Sequence, residues 1–148
     1  MRIANTLPRL ARMAASGKLR DALLFHLKET RWHVTRIEQI FDYFMETPMR
    51  KNNKVAIGLL QDCEDDAADF VGSPTVNAAL IAAVQKLEHY EMASLGCLYE
   101  WAEILGNFDA AVILRDLLKD VRATDDRLTD LALSGINEEA LAHMVLCP

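Results

Sequence analysis

The sequence predicts an all-α protein: an antiparallel four-helix bundle with an extra crossover helix, a short C-terminal helix and a shortened first helix. Three observations lead there. Breaks are few, at Ser16-Gly17, Thr47-Pro48, Gly72-Ser73-Pro74, Gly106-Asn107 and Ser134-Gly135, and each uses the residues that punctuate helices. No alternating two-residue pattern of strand length lies between them. Apolar residues also recur at coiled-coil spacing: Leu19, Leu23, His26, Thr30, His33, Ile37, Ile40 and Phe44 follow one another at steps of 4-3-4-3-4-3-4, a heptad seam.

The breaks divide the chain into segments 1–15, 17–46, 53–71, 75–105, 108–133 and 137–146. The first carries Arg2, Arg9, Arg12, Lys18 and Arg20 in or just after it, with no acid before Asp21. Such a stretch can imitate an organelle transit peptide, but Ile3, Leu7, Leu10 and Met13 fit a packing face, and a structural helix is expected. The second, fourth and fifth segments are the long ones, about 26–31 residues or about 40–45 Å at helical rise. Long helices joined by tight turns pack antiparallel. The 53–71 segment is a crossover that carries the chain back along the bundle. In the fifth segment the seam reads Ala111, Leu114, Leu118, Val121, Asp125, Leu128 and Ala132. The last segment opens with Asn137 as an N-cap and two first-turn glutamates. A faint repeat, Leu27-Lys28-Glu29 with Arg31 and Arg36 against Leu118-Lys119-Asp120 with Arg122 and Arg127, suggests two related helix pairs.

Composition excludes several classes. A chain of 148 residues fits one domain, 1–148. Its net charge of −6 disfavours nucleic acid or an anionic membrane as partner. No apolar run reaches the roughly 18 residues of a membrane helix. Cys63, Cys97 and Cys147 form no CxxC pair, which reads as reduced thiols in a cytoplasmic protein. The acids Asp62, Glu64, Asp65, Asp66 and Asp69 lack EF-hand spacing and its glycine, and read as a solvated face.

Chemistry enters through polar residues placed where a helix should be apolar. On the 75–105 helix, Ile81, Val84, Leu95 and Ala102 form one stripe, and Glu88 and Glu91 lie inside it. Buried carboxylates are costly unless neutralised, paired or bound to metal. The midpoints of the three long helices fall near residues 31, 90 and 121, and midpoints of antiparallel neighbours share one level. His26, Glu29, His33, Glu88, Glu91 and Asp125 therefore fall into one polar layer. Facing carboxylates and imidazoles are how bundles hold paired iron or manganese ions, and hard or borderline divalent ions favour such donors. The expected ligands are Glu29, His33, Glu88, Glu91 and Asp125, with His26 supporting them or structural. Hydrogen bonds and ion pairs among the same residues are the alternative.

The segments Ala4-Asn5-Thr6-Leu7-Pro8-Arg9-Leu10-Ala11, His26-Leu27-Lys28-Glu29-Thr30-Arg31-Trp32-His33-Val34, Ala79-Leu80-Ile81-Ala82-Ala83 through Glu88-His89-Tyr90-Glu91, and Ala123-Thr124-Asp125-Asp126-Arg127-Leu128-Thr129 resemble the YciE/YciF-type stress-protein family of the ferritin-like superfamily. Glu-His-Tyr-Glu is the most specific of them. The resemblance covers roughly residues 3–133 and implies a ferritin-like bundle, a homodimer and a dinuclear metal centre, with Glu88 and Glu91 as ligands and Glu29 matching the second-helix carboxylate. The chain departs from the family twice. A first-helix glutamate would fall before Met1, which a start assigned too late or a truncated chain would explain. Val121 stands where the family tends to have a glutamate. Two readings follow: a metal-dependent redox protein of oxidative or general stress, using iron or manganese, and a non-enzymatic dimeric helical protein without metal. In either, the apolar Leu141, Met144, Val145 and Leu146 are expected to help bury a twofold interface.

Overall fold

The computed structural model describes residues 2–49 and 51–146. Six α-helices follow in order: α1 Arg2–Met13, α2 Gly17–Tyr43, α3 Lys54–Ala68, α4 Thr75–Ile104, α5 Phe108–Leu131 and α6 Asn137–Leu146. No strand occurs among the described residues. Met1, Cys147 and the side chain of Leu146 lie outside them, and so do the expectations that rested on those groups.

Local chemistry sets the helix starts. Ser16, Asn53 and Asn107 each accept a hydrogen bond from a backbone N–H of the first turn of α2, α3 and α5, which satisfies a donor the helix itself leaves free. Gly106 ends the α4–α5 turn at φ 70°, a conformation cheap only for glycine. The α5–α6 junction departs from expectation. It is a five-residue π turn, Ala132–Ile136, in which only Ser134 and Gly135 leave helical angles. Asn137 has helical dihedrals (φ −69°, ψ −37°) and is the first residue of α6, not an extended cap preceding it.

Paired side chains fix the directions. Arg9 to Glu64 (3.1 Å) and Arg2 to Asn52 (3.3 Å) align α1 parallel to α3. Lys86 to Asp66 and Asn53 to Tyr90 set α3 antiparallel to α4. Glu29 to Thr124 and His33 to Asp120 set α2 antiparallel to α5, and Gln85 to Thr129 does the same for α4 and α5. Helices α2 and α4 are thus parallel, which requires a return between them, and α3 supplies it. This is a ferritin-like four-helix bundle of α1, α2, α4 and α5 with α3 as the crossover. Helix α1 has 12 residues against 27 in α2. Its Leu7 and Leu10 are buried, with Ile3 and Met13 packed beside them, as the packing-face reading required.

Two apolar clusters fill the bundle. One gathers Leu7, Leu10, Leu19, Leu23, Leu80, Val84 and Leu128. The other gathers Leu95, Ala102, Ala110, Leu114, Leu117 and Val121. On α4 the gap between Val84 and Leu95 holds Glu88 and Glu91. The α2 seam is buried from Leu19 to His33, but Ile37 and Phe44 are each 39% exposed. Beyond the polar layer only α2, α4 and α5 contribute to the second cluster, so one wall is missing there. On α5 the seam also shifts: Leu117 and Thr124 are buried, whereas Leu118 and Asp125 are only partly so. The buried Ala110, Leu114, Leu117, Val121, Thr124 and Leu128 keep steps of 4-3-4-3-4, a heptad seam in another phase.

Candidate metal centre

Helix α4 carries the acids into the core on a stripe that is otherwise apolar. Ile81, Val84, Glu88, Leu95 and Ala102 are all buried, and Glu91 is partly so. Glu88 has no exposed surface. Across the bundle, α2 presents His26, also buried, with Nε2 2.9 Å from Glu88 Oε1. One Nε2 or Nδ1 of His26 and one oxygen from each of Glu88 and Glu91 lie within 4.8 Å of one another. Two donors on one first-row ion, each about 2.1 Å from it, are at most about 4.2 Å apart, so a small side-chain adjustment closes the set.

The hydrogen bonding of this cluster is incomplete. Both ring nitrogens of His26 and both carboxylate oxygens of Glu88 are buried without a hydrogen-bond partner. His26 and Glu88 are close enough to attract as ions, but their approach is out of line for a hydrogen bond. Buried polar atoms of this kind are uncommon and call for an explanation.

Electrostatics agree with a site of concentrated negative charge. Burial pushes the Glu91 carboxyl up, the neighbouring Glu88 charge pushes it further, and His26 only partly offsets them, leaving it at about 7. Burial alone would lower the His26 pKa. Contact with Glu88, reinforced by Glu91 and Glu29, outweighs that and raises it above 6.5.

The other expected residues have partners of their own. Glu29 accepts from the Thr124 hydroxyl at 3.0 Å and lies 3.6 Å from Arg127 Nη1. His33 Nε2 meets Asp120 at 3.2 Å. Asp125 accepts from Gln85 at 3.1 Å and faces His89 at 3.7 Å. Of the five expected ligands the fold brings Glu88 and Glu91 together, and it adds His26, which sequence reasoning had placed in support. The signal for His26 was present: it shares the α2 seam with the other polar residues. Leu23, His26, Val84, Thr124 and Arg127, among others, line a gap too tight to hold a water molecule. A His₁Glu₂ set of nitrogen and oxygen donors fits iron or manganese.

Helix order, the parallel α2 and α4, the crossover and the polar layer define a protein of the ferritin-like class. The chain matches, over residues 1–141, the model of a family described as a domain of unknown function, DUF892, and it belongs to that family. It is 37% identical over 139 residues to Protein YciF of Escherichia coli strain K12, covering 93% of this chain and 84% of that protein. The crystal structure of the E. coli stress protein YciF superposes with a TM-score of 0.80 at 36% identity, covering 92% of this chain and 86% of that one. YcfI of Rhodopseudomonas palustris, described as a candidate structural protein, gives 0.83 at 30% identity, with 86% and 82% covered. No described helix is long and apolar enough to cross a membrane.

Proposed function

We propose that this chain is a bacterial stress protein whose bundle core takes up one divalent cation, iron or manganese, on His26, Glu88 and Glu91, in a redox role. The observation that carries this reading is the set of four buried, unpartnered donor atoms on His26 and Glu88 with Glu91 closing the cluster. Desolvating an acid pair without compensation is costly, and a cation supplies the compensation. When bound, such an ion offers coordination positions that three protein donors leave open to water or a small oxidant. The chain's own part is to fix the donors on two rigid helices, exclude bulk water with Leu23, Val84 and Leu128, and release the Glu91 proton as the ion enters. Glu29 stands beside this set as a further carboxylate. The similarity to YciF supports the stress role, and the uncovered Leu141, Met144 and Val145 on α6 support a homodimer.

A second reading has its own support. In a metal-free protein a protonated His26 beside Glu88 neutralises the core, and the likeness to YcfI fits a structural dimer without enzymatic activity. Melting in the presence of Mn(II) or Fe(II) separates the two. A raised melting temperature that disappears in the Glu88→Gln, Glu91→Gln double variant supports the metal centre. A melting temperature indifferent to both ions in the intact protein supports the structural dimer.

A further inference from the structure

Glu29 is one helical turn beyond His26 on α2, the spacing at which side chains on a helix share a face. It is close enough for its charge to act on the imidazole, yet its oxygens are not part of the His26, Glu88 and Glu91 group. Two residues of α5 account for that. Thr124, 3% exposed, donates its hydroxyl to Glu29 Oε2 at 3.0 Å. Arg127 lies over the Phe25 ring at 4.6 Å, and its Nη1 stops 3.6 Å short of the same oxygen. That distance is too long for a hydrogen bond, and the buried Nη1 has no other partner. The guanidinium is therefore held by stacking, with its charge turned on Glu29 but only half engaged. Thr124 and Arg127 also line the tight gap beside His26.

We propose that Thr124 and Arg127 form a latch that holds the Glu29 carboxylate away from the His26, Glu88 and Glu91 cluster and releases it, as a fourth donor, to a divalent cation bound there. This rests on the metal-centre reading above. Charge balances in both states. Without the ion, Arg127 neutralises Glu29 while His26 neutralises Glu88. With it, His26 and Glu91 give up their protons to solvent, the dication is met by Glu88, Glu91 and Glu29, and Arg127 remains beside the one excess negative charge. Thr124 and Arg127 are positioning residues: they touch Glu29 and not the ion.

The test is Mn(II) affinity at pH 7.5, read by competition with a fluorescent chelator, with metal-free melting confirming that each variant folds. Thr124→Val removes the hydroxyl at nearly the same shape. It should bind Mn(II) about ten- to a hundredfold more tightly, the fold-change that one hydrogen bond to a charged group is worth. Thr124→Ser, which keeps the hydroxyl, should bind like the intact protein. Glu29→Gln should bind more weakly and abolish the gain from Thr124→Val. Should Thr124→Val fail to fold, Arg127→Gln serves instead; the latch then requires that its gain shrink in the Glu29→Gln background, since only through-space repulsion persists there. Unchanged or weaker binding by Thr124→Val, or a gain that survives Glu29→Gln, would overturn the latch while leaving the metal centre standing. No Mn(II) binding by the intact chain or any variant would overturn both.

Discussion

Glu91 lies one turn beyond Glu88 on α4, and burial together with that neighbouring charge puts its pKa at about 7. An unfolded chain releases the same proton near 4.5. The folded protein thus holds a proton the unfolded one has lost, and stability falls as pH rises from about 4.5 through 7. His26 acts in the same sense: its raised pKa contributes stability below 6.5 that is lost as pH rises through the folded value. Metal-free protein, kept in chelator, should lose about 1–2 kcal/mol between pH 6 and pH 8, a drop of a few degrees in melting temperature. Glu91→Gln should flatten the profile. A metal-free melting temperature that rises across that range would contradict the buried-acid assignment. At this scale the sequence was informative about α4, because two acids inside a stripe of Ile81, Val84 and Leu95 violate the rule that makes the stripe. It was less informative about His26. A seam histidine is as often structural, and only the 2.9 Å approach of Glu88 separates the cases.

Among elements, the tie between the α1–α2 turn and α4 is the clearest case of one side chain organising three helices. The Asn77 carbonyl oxygen accepts from the backbone N–H groups of Ala15 and Ser16, both at 2.9 Å, and Asn77 is buried. Asn77→Leu would strip both donors of their partner at a partly buried turn, at a cost of about 1–3 kcal/mol, measurable by urea unfolding. A loss under about 0.5 kcal/mol, the scale of a surface substitution, would mean that the turn is held by its packing alone. Nothing in the sequence marks Asn77, since an asparagine in the first turn of a helix is ordinary. The helix breaks were legible, because Gly, Pro and Asn act locally. The phase of α5 was not: Leu114, Val121 and Leu128 belong to both possible seams, and the choice between Thr124 and Asp125 depends on which of them meets Glu29 of α2.

For the whole molecule, the antiparallel packing of the long helices and the crossover were legible from long segments with tight turns, and the ferritin-like bundle agrees. Of the uncovered surface, the α6 residues were legible as an interface, while the three-helix end was not. Trp101, Ile104, Leu105 and Phe108 stand exposed at the three-helix end, and Leu141, Met144 and Val145 at α6. Several large apolar side chains left exposed on one short helix favour association. Light scattering at micromolar concentration should give a dimer, and replacing Leu141, Met144 and Val145 together with serine should weaken it. A monomer for the intact chain would remove the proposed interface.

The central claim is that the polar layer binds a cation, and metal content tests it most directly. Protein equilibrated with Mn(II) at pH 7.5 and dialysed without chelator should carry about one ion per chain by elemental analysis, because one His₁Glu₂ set supplies enough donors for one ion and Val121 offers none for a second. The Glu88→Gln, Glu91→Gln variant should carry none. Intact protein without metal, or with two tightly held ions that persist in the variant, would contradict the account.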